Sequence, residues 1–204
     1  IRQLIFEGKN KEAQELCGPT ICSPSANGMP YQTVGSLHLD FDGISNYNDY
    51  YRDLDIAKAI ATTRFTANGV TYTREAYTSF PDQVLVIRLT ASQKKSISFT
   101  AKYTTPYKSN EFTALTRIEN SGGSLEATSD STLQVKNANS VTLYVSIGTN
   151  FVNYKDVSGN ALSTAQKYLK QVICRTKNKY TQRIYLLITA WKTMGTTEIK
   201  VSTL

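Results

Sequence analysis

Histidine is nearly absent from this chain: the 204 residues contain one, His38, together with one tryptophan, two methionines and five prolines. A single imidazole cannot complete the paired-histidine sets common at zinc sites, so no resident metal is expected. Cysteine is scarce as well. Cys17, Cys22 and Cys174 cannot all pair within one chain, and four intervening residues followed by a gap of most of the sequence is not zinc-ligand spacing. The first two leave open either a disulfide or ordinary thiols. No apolar run approaches the ~20 residues that span a bilayer, and 40% hydrophobic against 19% charged residues describe a globular chain with no membrane partner. Glycine-rich phosphate loops and a nucleophile elbow are also missing, so no nucleotide cofactor is expected; Gly122-Gly123 reads only as a turn.

What the chain has in excess is positive charge, +7 from 23 basic and 16 acidic residues. The excess is lopsided. Residues 173–204 carry Arg175, Lys177, Lys179, Arg183, Lys192 and Lys200 against Glu198, a net +5, which leaves the first 172 residues at only +2. A basic tail on a nearly neutral body is a solvated segment rather than a phosphate reader, and no nucleic-acid partner is expected.

Hydrophobic spacing divides the chain into segments. Ile1, Leu4 and Ile5, then Ala13, Leu16 and Cys17, fall at helical spacing on either side of Gly8 and predict two short helices with a glycine stop between them. GPTICSPSANGMP, residues 18–30, holds three prolines and two glycines and predicts a loop. Beyond it the period becomes two. Val34–Phe41 predicts a strand, SNYNDYYRD a turn region, and the arms around Asn68-Gly69 a hairpin, because that dipeptide tolerates the positive φ values of a type I′ turn.

QVLVIRLTA is apolar on most of both faces, which predicts a central strand. SISFTAKYTT, LTRIEN, GSLEATSD, STLQVKNA and SVTLYVSIG continue the succession of short strands between Gly, Asn and Asp. Leu162, Ala165, Leu169 and Val172 then return to helical spacing, with Ser158 or Asn160 available as a cap, and predict one short helix near 160–172. In the tail, Ile184–Trp191 is a strong β run without an assignable neighbour. The fold class is mainly β: a large antiparallel β-sandwich of the supersandwich kind, with short helices at the N-terminus.

Within MPYQTVGSLHLDFDG, residues 29–43, His38, Asp40 and Asp42 alternate with Leu37, Leu39 and Phe41. Side chains two apart on a strand share a face at about 7 Å. That row could share a metal or serve as acid and base, but it is also what the wet side of a half-buried strand requires, and the solvated reading is preferred. Carboxylates for inverting glycosidic cleavage must face each other across a bond, roughly 6.5–9.5 Å apart. Asp40/Asp42 and Asp53/Asp55 meet the distance but point the same way, so no catalytic residue is assigned. Tyr47, Tyr50 and Tyr51, among Asn and Asp, offer flat faces to a sugar ring or pack at a strand edge. Met29, Tyr31 and Gln32, stiffened by Pro30, suit an inter-domain contact.

Several ordered motifs carry a resemblance: Met29-Pro30-Tyr31-Gln32, Tyr51-Arg52 with Leu54-Asp55, Gly69-Val70-Thr71-Tyr72 with Arg74-Glu75, and Pro81-Asp82-Gln83-Val84. With the opening IRQLIFEGKNKEAQEL, residues 1–172 resemble the N-terminal domain of glycoside hydrolase family 95, the α-L-fucosidase family. The resemblance implies a secreted, often periplasmic, multidomain enzyme that removes terminal L-fucose, and in some members L-galactose, with inversion. It implies that this region is the β-sandwich preceding a helical linker and an (α/α)6 barrel that holds the acid and the water-activating groups, none of which matches a position here. The expected role is therefore a non-catalytic domain partnered by that barrel, and possible contact with fucosylated glycans follows; a carbohydrate-binding module or a partner-binding sandwich is the alternative. Residues 173–204, which do not follow a helical linker, are expected to be a basic segment of the same domain, and a truncated or frame-altered reading of a longer gene would explain them.

Overall fold

The computed structural model describes residues 1–21, 33–105, 112–129, 131–175, 182–190 and 197–202, with side chains as far as Val172. They belong to two compact units, Ile1–Gln32 and Thr33–Leu204. In the first, α1 (Arg2–Phe6) and α2 (Asn10–Ile21) are separated at the expected glycine. Gly8 takes φ +75°, the left-handed conformation that ends helices, and its N–H donates to the Ile5 carbonyl at 3.0 Å. The predicted loop begins later than expected, because α2 continues through Gly18 and Pro19 to Ile21. Proline there withdraws only its own N–H, in the last turn, and the Thr20 hydroxyl donates to the Leu16 carbonyl beside it. Cys17 is a free thiol. The remainder of the predicted loop, with Cys22, Met29, Tyr31 and Gln32, lies outside the described residues.

The second unit is built from β1 (Ser36–Phe41), β2 (Asn48–Asp55), β3 (Ile60–Ala67), β4 (Val70–Ser79), β5 (Val84–Ala91), β6 (Ile97–Thr104), β7 (Phe112–Ser121), β8 (Ser124–Ser129), β9 (Thr132–Ala138), β10 (Ser140–Thr149), α3 (Ala161–Arg175), β11 (Gln182–Ala190) and β12 (Thr197–Ser202). The strands form two antiparallel sheets. The small one runs β1-β6-β9-β8 and the large one β12-β11-β7-β10-β5-β4-β3-β2. Asn68 (φ +50°) and Gly69 (φ +74°) close the β3–β4 hairpin as the sequence predicts, with Ala67 opposite Val70.

Two expectations change. The Tyr- and Asp-rich stretch predicted to be a turn region instead contains β2, the free edge of the large sheet, paired with β3 from Asp55↔Ile60 to Asn48↔Thr66 across a register shift. Seven of its eight residues are exposed, so neither face imposes the apolar alternation by which strands are recognised. The unassigned β run of the tail is β11, which pairs with β7 from Gln182↔Asn120 to Ala190↔Phe112.

The sandwich core interleaves Ile97, Phe99, Leu133 and Val135 of the small sheet with Leu89, Ile118, Val141 and Leu143 of the large one. On the opposite face of the large sheet, α3 lays Ala165, Leu169 and Val172 over Val84, Val86, Leu115 and Tyr144. Asn160 caps this helix, its Oδ1 accepting the Ser163 N–H at 2.8 Å. The approach is close: a Cβ on Gly148 would stand 2.2 Å from the Ala161 carbonyl oxygen, and the Ser146 hydroxyl donates to the Ala165 carbonyl. Covered on both sides, β7 and β10 are buried almost throughout.

Two polar contacts lie inside this layered core. Arg117 and Glu119, on the face of β7 that carries Leu115, are 2% and 0% exposed and form an ion pair. Between the sheets, the Tyr103 and Thr116 hydroxyls share a hydrogen bond. Burial pushes the Tyr103 phenol up to about 12, against the smaller downward pull of that bond.

Arg117→Met leaves the Glu119 carboxylate buried without this cation and is expected to lower the unfolding free energy by about 3–5 kcal/mol in urea titrations; adding Glu119→Leu recovers most of the loss. For Tyr103, the folded state holds the phenolic proton more tightly than the unfolded chain does. Its contribution to stability is therefore complete below the unfolded value of ~10 and is lost as pH rises toward about 12. The urea midpoint of the wild type accordingly falls more steeply above about pH 10 than that of Tyr103→Phe.

Candidate carbohydrate-contact cleft

Four strands cannot cover eight. Phe41 of β1, the edge of the small sheet, packs against Tyr72 of β4, so β3 and β2 extend beyond it with no strand of the small sheet over their inner faces among the described residues. Aromatic side chains fill the corner. Ring centroids run from Tyr50 to Tyr47 (5.6 Å), Tyr47 to Phe65 (6.0 Å), Phe65 to Tyr72 (5.3 Å, stacked), Tyr72 to Phe41 (6.4 Å) and Phe41 to Phe99 (5.5 Å). The series passes from half-exposed Tyr50 to fully buried Phe99 in spacings at which aromatic pairs attract.

Beside it lies an open cleft of about 470 Å3, lined by Leu39, Asp40, Phe41, Ile44, Tyr47, Tyr50, Phe65 and Arg74. Strand alternation decides what faces it. Tyr72 and Phe65 stand opposite each other across β3–β4 and point inward, and Arg74, two residues on from Tyr72, shares that side. Its Nε is buried without a hydrogen-bond partner, and Arg74 makes no ion pair with any described residue. A buried N–H left unmet costs about 1–3 kcal/mol, more on a charged group. An adjoining void of about 10 Å3 is at the lower limit for one water.

The structure sorts the sequence candidates. Tyr47 and Tyr50 come together in the cleft, whereas Tyr51 points to the opposite face, its ring 5.6 Å from the Arg64 guanidinium carbon. His38 and Asp40 stand on the outer side of the small sheet, Nε2 of His38 at 2.8 Å from the Thr104 hydroxyl and Asp40 at 2.7 Å from Lys102. The Lys102 ammonium holds the Asp40 carboxyl below its ordinary range, with the His38 charge a lesser aid. Asp55 pairs with Lys58 at 3.0 Å and accepts the Ala57 and Lys58 N–H groups, closing the β2–β3 turn. Among the described residues no three His, Cys, Asp or Glu side chains gather to hold a metal. Arg74, Phe65 and Ile44 were not among the sequence candidates. The signal for Arg74 was a charge on the Tyr72–Arg74–Ala76 row of a strand whose partner row contains Phe65.

With this geometry in place, relatives can be compared. The sequence model of the family described as glycosyl hydrolase family 65, N-terminal domain, matches residues 1–117. The chain belongs to that N-terminal-domain family. Alpha-L-fucosidase 2 of Arabidopsis thaliana is 32% identical over 109 residues, 50% of this chain and 12% of that protein. A probable alpha-fucosidase A of Aspergillus niger is 30% identical over 92 residues, 45% of this chain and 11% of that protein. The matches thus span about one eighth of these relatives' length. An N-terminal domain of glycosyl-hydrolase type with α-fucosidase relatives is what the ordered motifs implied.

Because the Asp40 carboxyl is lowered on folding, its contribution is present above the ordinary carboxylate range and disappears as pH falls through the folded value. Asp40→Asn is therefore expected to lower the thermal midpoint at pH 7, and the gap from wild type to close in strong acid; a gap of constant size across that range would show that Lys102 contributes nothing through charge.

Proposed function

We propose that this chain serves as the non-catalytic N-terminal β-sandwich of a family 95-type α-L-fucosidase, bordering a helical-barrel catalytic domain. The observation that carries the reading is the extent of the matches: they bring α-fucosidases to this chain while occupying about one eighth of those proteins. The carboxylates agree with it. Asp40 and Asp55 are engaged by lysines, and each lies two residues from its candidate partner on one strand or its continuation, so neither pair straddles a substrate.

The surface proposed to border the barrel lies at the end of the large sheet where Ser79, Val84 and Ser146 stand side by side. Phe80 is 86% exposed there, beside a groove of about 420 Å3 that also takes in Ile147 and Tyr168. Directly after β10, the Gly159 N–H closes a loop onto the Asn150 carbonyl, and that loop displays Phe151, Val152, Tyr154 and Val157 to solvent. Apolar surface concentrated in this way fits a covered interface. Export to the periplasm or the cell exterior belongs to the same proposal.

Incubated with fucosylated oligosaccharides, the chain is expected to release no L-fucose; turnover abolished by Asp40→Asn or Asp42→Asn would overturn the non-catalytic role. In a longer protein carrying both sandwich and barrel, replacing Phe80, Phe151 and Tyr154 by Ser is expected to split one calorimetric unfolding transition into two. An unchanged single transition would remove the assigned surface.

A further inference from the structure

We propose that the cleft beside β1 binds a carboxylate-bearing sugar, with the Arg74 guanidinium engaging the carboxylate and Tyr47 and Tyr50 covering one side of the ring. The site stands apart from the apolar end assigned to the barrel, and the proposal does not depend on that assignment. Its volume, about 470 Å3, falls within the range of roughly 300–1,000 Å3 usual for small-ligand sites.

Arg74 gives the cleft its preference for an anion. No described carboxylate pairs with it and the side chain lines the cleft; its Nε is buried and unmet, whereas its two Nη groups are not buried and are the donors a ligand in the cleft would reach. A guanidinium presents five N–H donors in a planar fork, and the bordering void has room for at most one water. A planar carboxylate matches that fork through two parallel hydrogen bonds.

The surroundings of the fork suit a sugar. Tyr47 and Tyr50 are 59% and 52% exposed and tilted 51° to each other, and Tyr47 is backed by Phe65, so both rings keep exposed surface and the pair is supported through Tyr47. Such faces suit the C–H side of a pyranose, while phenolic hydroxyls at their tips accept or donate hydrogen bonds. Asp40 on the same rim is held by Lys102 through Oδ2, which leaves Oδ1 free to accept from a ring hydroxyl. A uronic acid brings carboxylate, hydroxyls and an apolar ring face together; an acidic peptide segment brings only the first.

The test is calorimetric titration of the full chain with trigalacturonate, glucuronate and N-acetylneuraminate, alongside neutral galactotriose and a glutamate-rich peptide. At least one acidic sugar is expected to saturate the site and to bind at least tenfold more tightly than galactotriose. Arg74→Gln should weaken that binding at least tenfold, Arg74→Lys should restore it only in part, and Tyr50→Ala should weaken acidic and neutral sugars alike. Circular dichroism of each variant separates lost binding from lost fold, and Tyr50→Ala serves if Arg74→Gln does not fold. Equal affinity for neutral and acidic sugars, indifference to both substitutions, or silence across the acidic panel would overturn the proposal. Tighter binding of the peptide than of any sugar would also overturn it and assign the cleft to an acidic protein segment. Fucose release is measured separately, so failure here and failure of the domain assignment are distinguishable.

Discussion

The inequality between the two sheets organises the molecule. Four strands face eight, and hydrophobic residues on the larger sheet must be covered by something else or left in water. The middle of its outer face is covered by α3, whose close seat over Gly148 turns β7 and β10 into strands with no wet side. Among the described residues no strand or helix covers the inner face beyond β1. Aromatic rings fill it in a graded series from Phe99 outward, and where that series reaches solvent it leaves a cleft with a cation on its wall.

The two proposed functions accordingly lie at two ends of the large sheet. Near the Asn68-Gly69 hairpin, mixed aromatic and charged side chains form a concave site of the size of a small ligand. At the opposite end of β4 and β5, where Ser79 meets Val84, exposed Phe80 beside its groove and the loop after β10 offer a concentration of exposed apolar side chains. A cleft with a cation on its wall suits a polar ligand that arrives from water, and exposed apolar side chains in concentration suit a covered surface. His38 and Asp40 belong chiefly to the solvated side of a four-stranded sheet, although Asp40 also reaches the rim of the cleft, and Asp42 is exposed in the turn just past β1.

Legibility from sequence followed burial. Where burial alternates along a strand, as in β6, the sequence alternation announced it, and β5, with Val84, Val86 and Leu89 buried and only Arg88 exposed, announced itself by a nearly unbroken apolar run. β2 was hidden because an edge strand with exposed faces has no pattern to show. The last turn of α2 was hidden by Pro19, whose local preference was overridden near a helix end where one lost hydrogen bond is tolerable. The placement of β11 depends on a partner some 60 residues earlier, which no local window contains. Tyr47 and Tyr50 could be named from composition. Their company could not, because Arg74 reaches them only through the β2-β3-β4 register and the width of the opposing sheet.

The pairing of β7 with β11 also has a bearing on biosynthesis. β7 is complete at Ser121 and β11 begins at Gln182, so a ribosome adding roughly 5–20 residues per second leaves one side of that strand's peptide groups bare for several seconds. A strand with an unpaired edge waiting that long for a late-arriving neighbour is a natural client for a holding chaperone, and synonymous codon changes between those two segments would lengthen or shorten the wait without altering a single amino acid.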